Sequence, residues 1–230
     1  MPGKAMNADI VSFLASSMII LLYHIYLFVR LRFNPNFTIH AVSDRARHSW
    51  VAGIMSNPNN AVLAVQTLRN STMAATFLAS TAILLVFGLL NITVKRGTLD
   101  LILLDAMNLE KLFAPNYSET ELVSTLMGYK LLLLLIDFLW AFFSFSLSIR
   151  AYNHVGYLIN SHDPENVSTH YVAQMLNDGG DYYTLGMRAY YLSVPLVFWM
   201  CGPYFMLAAS LALVVFLHRT DHAPSRFGHR

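Results

Sequence analysis

Charge is what this sequence has least of. Asp, Glu, Lys and Arg make up 12% of its 230 residues, about half the share found in soluble domains. The formal net charge is +2, and no dense Lys/Arg run occurs, so the electrostatic footprint of a nucleic-acid binder is missing. Cysteine occurs once, as Cys201, which excludes a disulfide within the chain and leaves the redox compartment open. Also lacking are a glycine-rich phosphate loop, a nucleophile elbow and a Cys-x-x-Cys pair. No internal repeat, low-complexity tract or long linker divides the chain, which therefore reads as a single membrane domain over 1–230.

What is present is apolar: 56% of the residues are hydrophobic. Four runs, over about 10–29, 72–92, 129–149 and 190–217, approach the ~20 residues that a hydrocarbon core of ~30 Å requires. The first carries only Lys4 ahead of it and is followed by bulky residues, so it reads as a retained helix rather than a cleaved signal. Loop one carries Arg30, Arg32, Arg45 and Arg47, whereas loop two is acidic. The positive-inside rule then predicts loops one and three in the cytoplasm and, with four spans, both termini outside. Arg219, Arg226 and Arg230 oppose that arrangement.

Between the spans, 38–57 suits a short interfacial helix, with Trp50 fitted to the headgroup region. The segment 98–113 places Leu99, Ile102, Leu103, Ala106 and Leu109 on one helical face and predicts an interfacial amphipathic helix. Ser118 and Glu121 form a capping box ahead of the third span. That span is expected to continue past Ile149. Ser146, Arg150, Asn153, His154 and Tyr157 stand at offsets of four, seven, eight and eleven, which makes a polar stripe leaving the membrane. Asp178-Gly179-Gly180-Asp181 reads as a turn before the last helix.

Ionisable side chains inside apolar spans are costly and normally have a partner or a task. Asp137 stands in the middle of the third span, His24 in the first, and Arg69 with Gln66 and Asn70 ahead of the second. Together they form a candidate intramembrane polar cluster, with Arg150, Asn153 and His154 as a separate stripe. An Asp137 contact with Arg69 or His24 is allowed if the second helix starts near Asn60. Such a contact serves either helix packing or a proton or small-solute pathway. His24 and His154 are a weak pair of axial haem ligands, so no cofactor is implied. His218 and His222 have i,i+4 spacing without a third ligand nearby, which falls short of a metal site. Pro195, Gly202 and Pro203 predict either a structural kink in the last span or a discontinuous helix that exposes carbonyls to an ion or substrate. Ala74, Ala75, Ala79, Ser80, Ala208, Ala209 and Ser210 are candidates for close helix approach.

Several strings resemble one family. They are Ala64-Val65-Gln66-Thr67-Leu68-Arg69-Asn70-Ser71 with Met73-Ala74-Ala75, then Arg150 with Tyr152 and His154, and Gly186-Met187-Arg188-Ala189-Tyr190-Tyr191. With Pro195-Leu196, Trp199, Gly202-Pro203 and Asp221, they resemble the domain-of-unknown-function 599 family of integral membrane proteins. The resemblance runs from about Tyr23 to Asp221; Met200-Cys201 departs from it locally. It implies a multi-helix membrane protein and supplies no catalytic residues.

The expectation is thus an all-α, polytopic membrane protein. It has four transmembrane helices and an interfacial amphipathic helix in the second loop. It sits in a lipid bilayer as a structural or accessory component, alone, as a homo-oligomer or with a membrane-protein partner, and carries no recognisable catalytic or metal site.

Overall fold

The computed structural model describes residues 2–33, 38–95, 119–161 and 167–222. The described residues are helical almost throughout: α1 (Pro2–Phe33), α2 (Ile39–Met55), α3 (Ala61–Lys95), α4 (Glu119–Leu158), α5 (Thr169–Cys201) and α6 (Pro203–Asp221), with a 3-10 turn at Pro58–Asn60. The amphipathic helix expected over 98–113 and the capping Ser118 lie outside the described residues. Among the described residues, four helical stretches are long and apolar enough to cross a membrane: Ala8–Phe33, Ala61–Lys95, Leu126–Leu158 and Pro203–Asp221.

The starts of the shorter connections are chemically defined. Thr38 caps α2 by accepting from the Ala41 amide at 3.3 Å, and Ser168 caps α5 by accepting from the Tyr171 amide at 3.2 Å. α3 begins at Ala61, well before the apolar run at 72, because nothing in Ala61–Leu68 interrupts a helix. α4 spans 40 residues, about 60 Å at ~1.5 Å per residue, and so projects beyond a ~30 Å core as its polar stripe predicted.

α4 is the central rod, packed along both α3 and α5; α6 packs against α5, and α1 lies beside α6. The α3 seam is Ala64, Leu68, Ala75, Ala79, Ala82, Val86 and Thr93, all buried. Its small residues allow close approach where no hydrophobic drive operates between helices. Ala75, Ala79 and Ser210 are buried as expected, while Ala74, Ser80 and Ala208 face outward.

Two features depart from the expected layout. The stretch 190–217 is not one kinked span. Gly202 has φ 142 and ψ 163, a conformation open to glycine, and Pro203 occupies the first turn of a new helix. The chain therefore reverses, so that Tyr191 meets Phe216 with ring centroids 5.4 Å apart and α6 runs antiparallel to the second half of α5. In consequence Asp221, at the end of α6, lies at the end of the bundle opposite Asp9, rather than on the same side as the start of α1. Asp178-Gly179-Gly180-Asp181 is likewise no turn but lies inside α5. Ala151 and Tyr152 of α4 come so close that a Cβ on Gly179 would stand 2.8 Å from Tyr152 Cε1. Ser148 uses the same approach, donating to the Gly179 carbonyl at 2.8 Å.

Candidate functional site

At the end of the bundle where α5 gives way to α6, three helices are joined by one charge cluster. Lys130 Nζ of α4 lies 2.9 Å from Asp9 Oδ1 of α1 and donates to the Trp199 carbonyl of α5 at 3.3 Å. Trp199 Nε1 donates to the same Asp9 oxygen at 2.9 Å, and the Phe13 ring stacks on the indole at 4.9 Å. Lys130 also stands 4.9 Å from the centre of the Trp199 ring, a cation–π distance. Each of these polar atoms has a partner, which is the condition for burying charge.

The opposite end is rich in arginine. Arg30, Arg32, Arg45, Arg47, Arg69, Arg150, Arg188 and Arg219 gather toward it. Tyr23 of α1 donates to Asp221 Oδ2 of α6 at 2.7 Å, and Arg188 of α5 reaches the same oxygen at 3.3 Å. Beside this, α2 is tied to α5. His40 places Nδ1 3.3 Å from Asp44 Oδ2 and Nε2 3.1 Å from Asp181 Oδ1. Arg47 pairs with the other Asp44 oxygen and donates through Nε to Asn177 Oδ1 at 2.8 Å. Desolvation on its packed side raises the Asp181 carboxyl above the usual range, with Asp44 and Asp178 adding to it and His40 and Arg47 opposing it.

His40, Asp44 and Asp181 offer ligand atoms that lie within 4.8 Å of one another, the donor set of a divalent cation. The imidazole lies between the two carboxylates and Arg47 pairs with Asp44, so the same groups also tie α2 to α5.

The predicted polar cluster is not assembled. Gln66, Arg69 and Asn70 are exposed on α3. Arg69 lines a crevice with Asn153 and Tyr157, and Asn153 is 16 residues, about 24 Å of helix, from Asp137. Asp137 Oδ2 is buried with no hydrogen-bond partner, so neither expected contact is made. His24 Nδ1 is engaged with the Ile20 carbonyl at 2.8 Å. His24 and Asp137 do line one apolar groove together, bounded by α1, α4, α5 and Met206 of α6, with a volume of about 530 Å³. Arg150 and His154 border a different crevice with Asp178 and Tyr182, so the stripe on α4 divides between two faces. His24 and His154, the candidate pair of haem ligands, thus line separate crevices. The His218 and His222 rings lie tilted with centroids 4.1 Å apart, and the His222 backbone bridges to Thr38.

Sequence reasoning missed Asp9, Lys130 and the tie of His40 to Asp181. The first two sit at the rim of apolar runs, where a lone charge reads as a boundary marker. A sharper signal was available in Lys130, which is followed directly by five Leu and an Ile.

The family model described as "Protein of unknown function, DUF599" covers residues 11–225. No curated protein and no solved structure matches the chain.

Proposed function

We propose that this chain, which belongs to the DUF599 family, is a multi-pass integral membrane protein with a structural or accessory role in a membrane assembly. One observation carries this: Asp9, Asp44, Arg47, Lys130, Asp181, Arg188 and Asp221 are spent on ties between helices rather than converging on a reacting centre. Asp9–Lys130–Trp199 joins α1, α4 and α5; Tyr23–Asp221–Arg188 joins α1, α6 and α5; His40–Asp44–Asp181 joins α2 and α5. Tyr190 adds a neutral tie, donating to the Leu78 carbonyl of α3 at 2.6 Å. Large side chains such as Phe77, Phe87, Leu84 and Val94 on α3 remain exposed, leaving a broad apolar face for lipid or a neighbouring helix.

The same layout favours one orientation. With the chain reversed at Gly202, Arg219 joins the arginines of loop one, Arg150 and Arg188 at a single end. The positive-inside rule then places that end in the cytoplasm and the start of α1 outside, with the second half of α5 and α6 crossing as an antiparallel pair. In a Cys201→Ser background, Asn59→Cys should resist a membrane-impermeant maleimide in intact cells and react after permeabilisation; labelling in intact cells reverses the orientation.

The accessory role is tested by purification of the tagged protein in a mild detergent with cross-linking beforehand. A stoichiometric membrane-protein partner or a defined homo-oligomer is expected. A monodisperse monomer with nothing cross-linked to it overturns the role.

A further inference from the structure

Asp137 is the exception to the pattern that buried charge in the described bundle is partnered. It lies seven residues beyond Lys130 on α4, about 10 Å along the axis. The two tie layers on α1, at Asp9 and Tyr23, are 14 residues or ~21 Å apart, so the carboxyl sits near the middle of the apolar zone. Its Oδ2 is shielded from solvent and bonded to nothing. A carboxylate at such a depth needs a counter-charge, and the ammonium two turns away on its own helix, Lys130, is already committed to Asp9 and Trp199.

The carboxyl borders the apolar groove that it shares with His24. α1 leans on α6 rather than on α4, and the gap this leaves between α1 and α4 is floored by Leu192, Pro195 and Leu196 of α5. Its rim is open to the apolar surroundings, since Leu21, Ile136 and Trp140 are 60%, 51% and 58% exposed. Two aromatic rings, Phe13 and Trp140, also line it, and about 530 Å³ falls within the range of small-molecule sites. A carboxyl without a partner, aromatic faces and an otherwise hydrocarbon wall share one complement: a positive charge carried on an apolar body.

We infer that the groove between α1 and α4 is a binding site for a lipophilic organic cation, entered from the bilayer, with Asp137 as its counter-charge. This goes beyond the accessory role, which rests on the ties and not on the groove. His24 is the one other titratable side chain among the described residues that line it. A proton and the cation compete for the same carboxylate, so affinity should fall as pH is lowered.

The probe is tetraphenylphosphonium, measured by equilibrium dialysis against the full chain in mild detergent, with neutral triphenylphosphine oxide as the uncharged counterpart. One saturable cation site is expected, at least tenfold tighter than the oxide, weakening as pH falls, lost in Asp137→Asn and kept in Asp137→Glu. Ile136→Trp, at an exposed rim position, narrows the groove while leaving the carboxyl in place, and should also weaken binding at least tenfold. Equal affinity for cation and oxide shows an apolar seat for lipid and overturns the inference. So does a cation affinity unchanged by Asp137→Asn or by Ile136→Trp, or the absence of saturable binding in a protein that elutes as a single folded species. The accessory role stands or falls separately, on the cross-linking result.

Discussion

Gly186→Ala should destabilise this bundle, against the direction that helix propensity alone dictates. Alanine gains about 1 kcal/mol over glycine in a helix interior. The added Cβ at Gly186, however, would stand 2.8 Å from both Cε1 and Cζ of Phe145. That ring cannot swing aside: Phe145 is fully buried and held edge-on between Tyr183 and Tyr190, with centroids at 5.6 and 5.5 Å. Overpacking of a fixed core costs about 1–3 kcal/mol, so the net change runs from near neutral to a loss of about 2 kcal/mol. Gly88 supplies the internal control, since a Cβ added there would meet nothing within 4 Å and Gly88→Ala should keep the propensity gain. The gap between the two variants is then the overpacking cost itself. At ~2–4 °C per kcal/mol for a chain of this size it should be several degrees in Tm, read as loss of the folded peak in size-exclusion chromatography after heating in detergent. If Gly186→Ala is as stable as Gly88→Ala, the close contact of α4 and α5 at Phe145 is wrong.

Lys130→Met removes one partner from a buried ion pair and leaves Asp9 with the Trp199 N–H alone; about 3–5 kcal/mol should be lost, and a Tm within a degree or two of wild type refutes the tie. Gly202→Ala forces a side chain into φ 142, where strain of about 1–3 kcal/mol is expected; a stable Gly202→Ala protein would instead favour a continuous 190–217 helix. A double-mutant cycle on Arg188→Met and Asp221→Asn should show coupling of about 0.5–3 kcal/mol in thermal stability, and strict additivity would refute the contact. Asp137→Leu should stabilise the unliganded protein by about 1–3 kcal/mol, because it deletes a buried polar atom that has no bond to lose; a drop of several degrees would show instead that the carboxyl is a packing contact.

The spans were legible because burial in hydrocarbon imposes a one-dimensional signal: a run long enough and apolar enough must cross. The projection of α4 was legible for the same kind of reason, since Arg150, Asn153 and His154 keep helical spacing past the apolar run. Glycine pairs are harder. Gly179 and Gly180 look like a turn in sequence, yet a glycine serves equally well where a neighbouring backbone or ring must come close, and only the partner helix distinguishes the two. Gly202 followed by Pro203 carried more information than a kink, because a residue open to positive φ followed by one favoured at the first helical turn is a stop and a start.

The interhelix ties were illegible for a deeper reason. Asp9 meets Lys130 and Trp199 across 121 and 190 positions, and Tyr23 meets Asp221 across 198. No periodicity encodes such pairings; they exist only once helices far apart in the chain have packed together. Asp137 shows the converse. Its cost was visible in sequence, and a buried carboxylate does call for a partner, but Arg69 is held elsewhere by the packing of α3, and His24, which lines the same groove, engages the Ile20 carbonyl instead. Where the neighbouring buried charges, Asp9 and Lys130, are satisfied from within the protein, a carboxyl left open beside a lipid-facing groove is best understood as waiting for a charge from outside it.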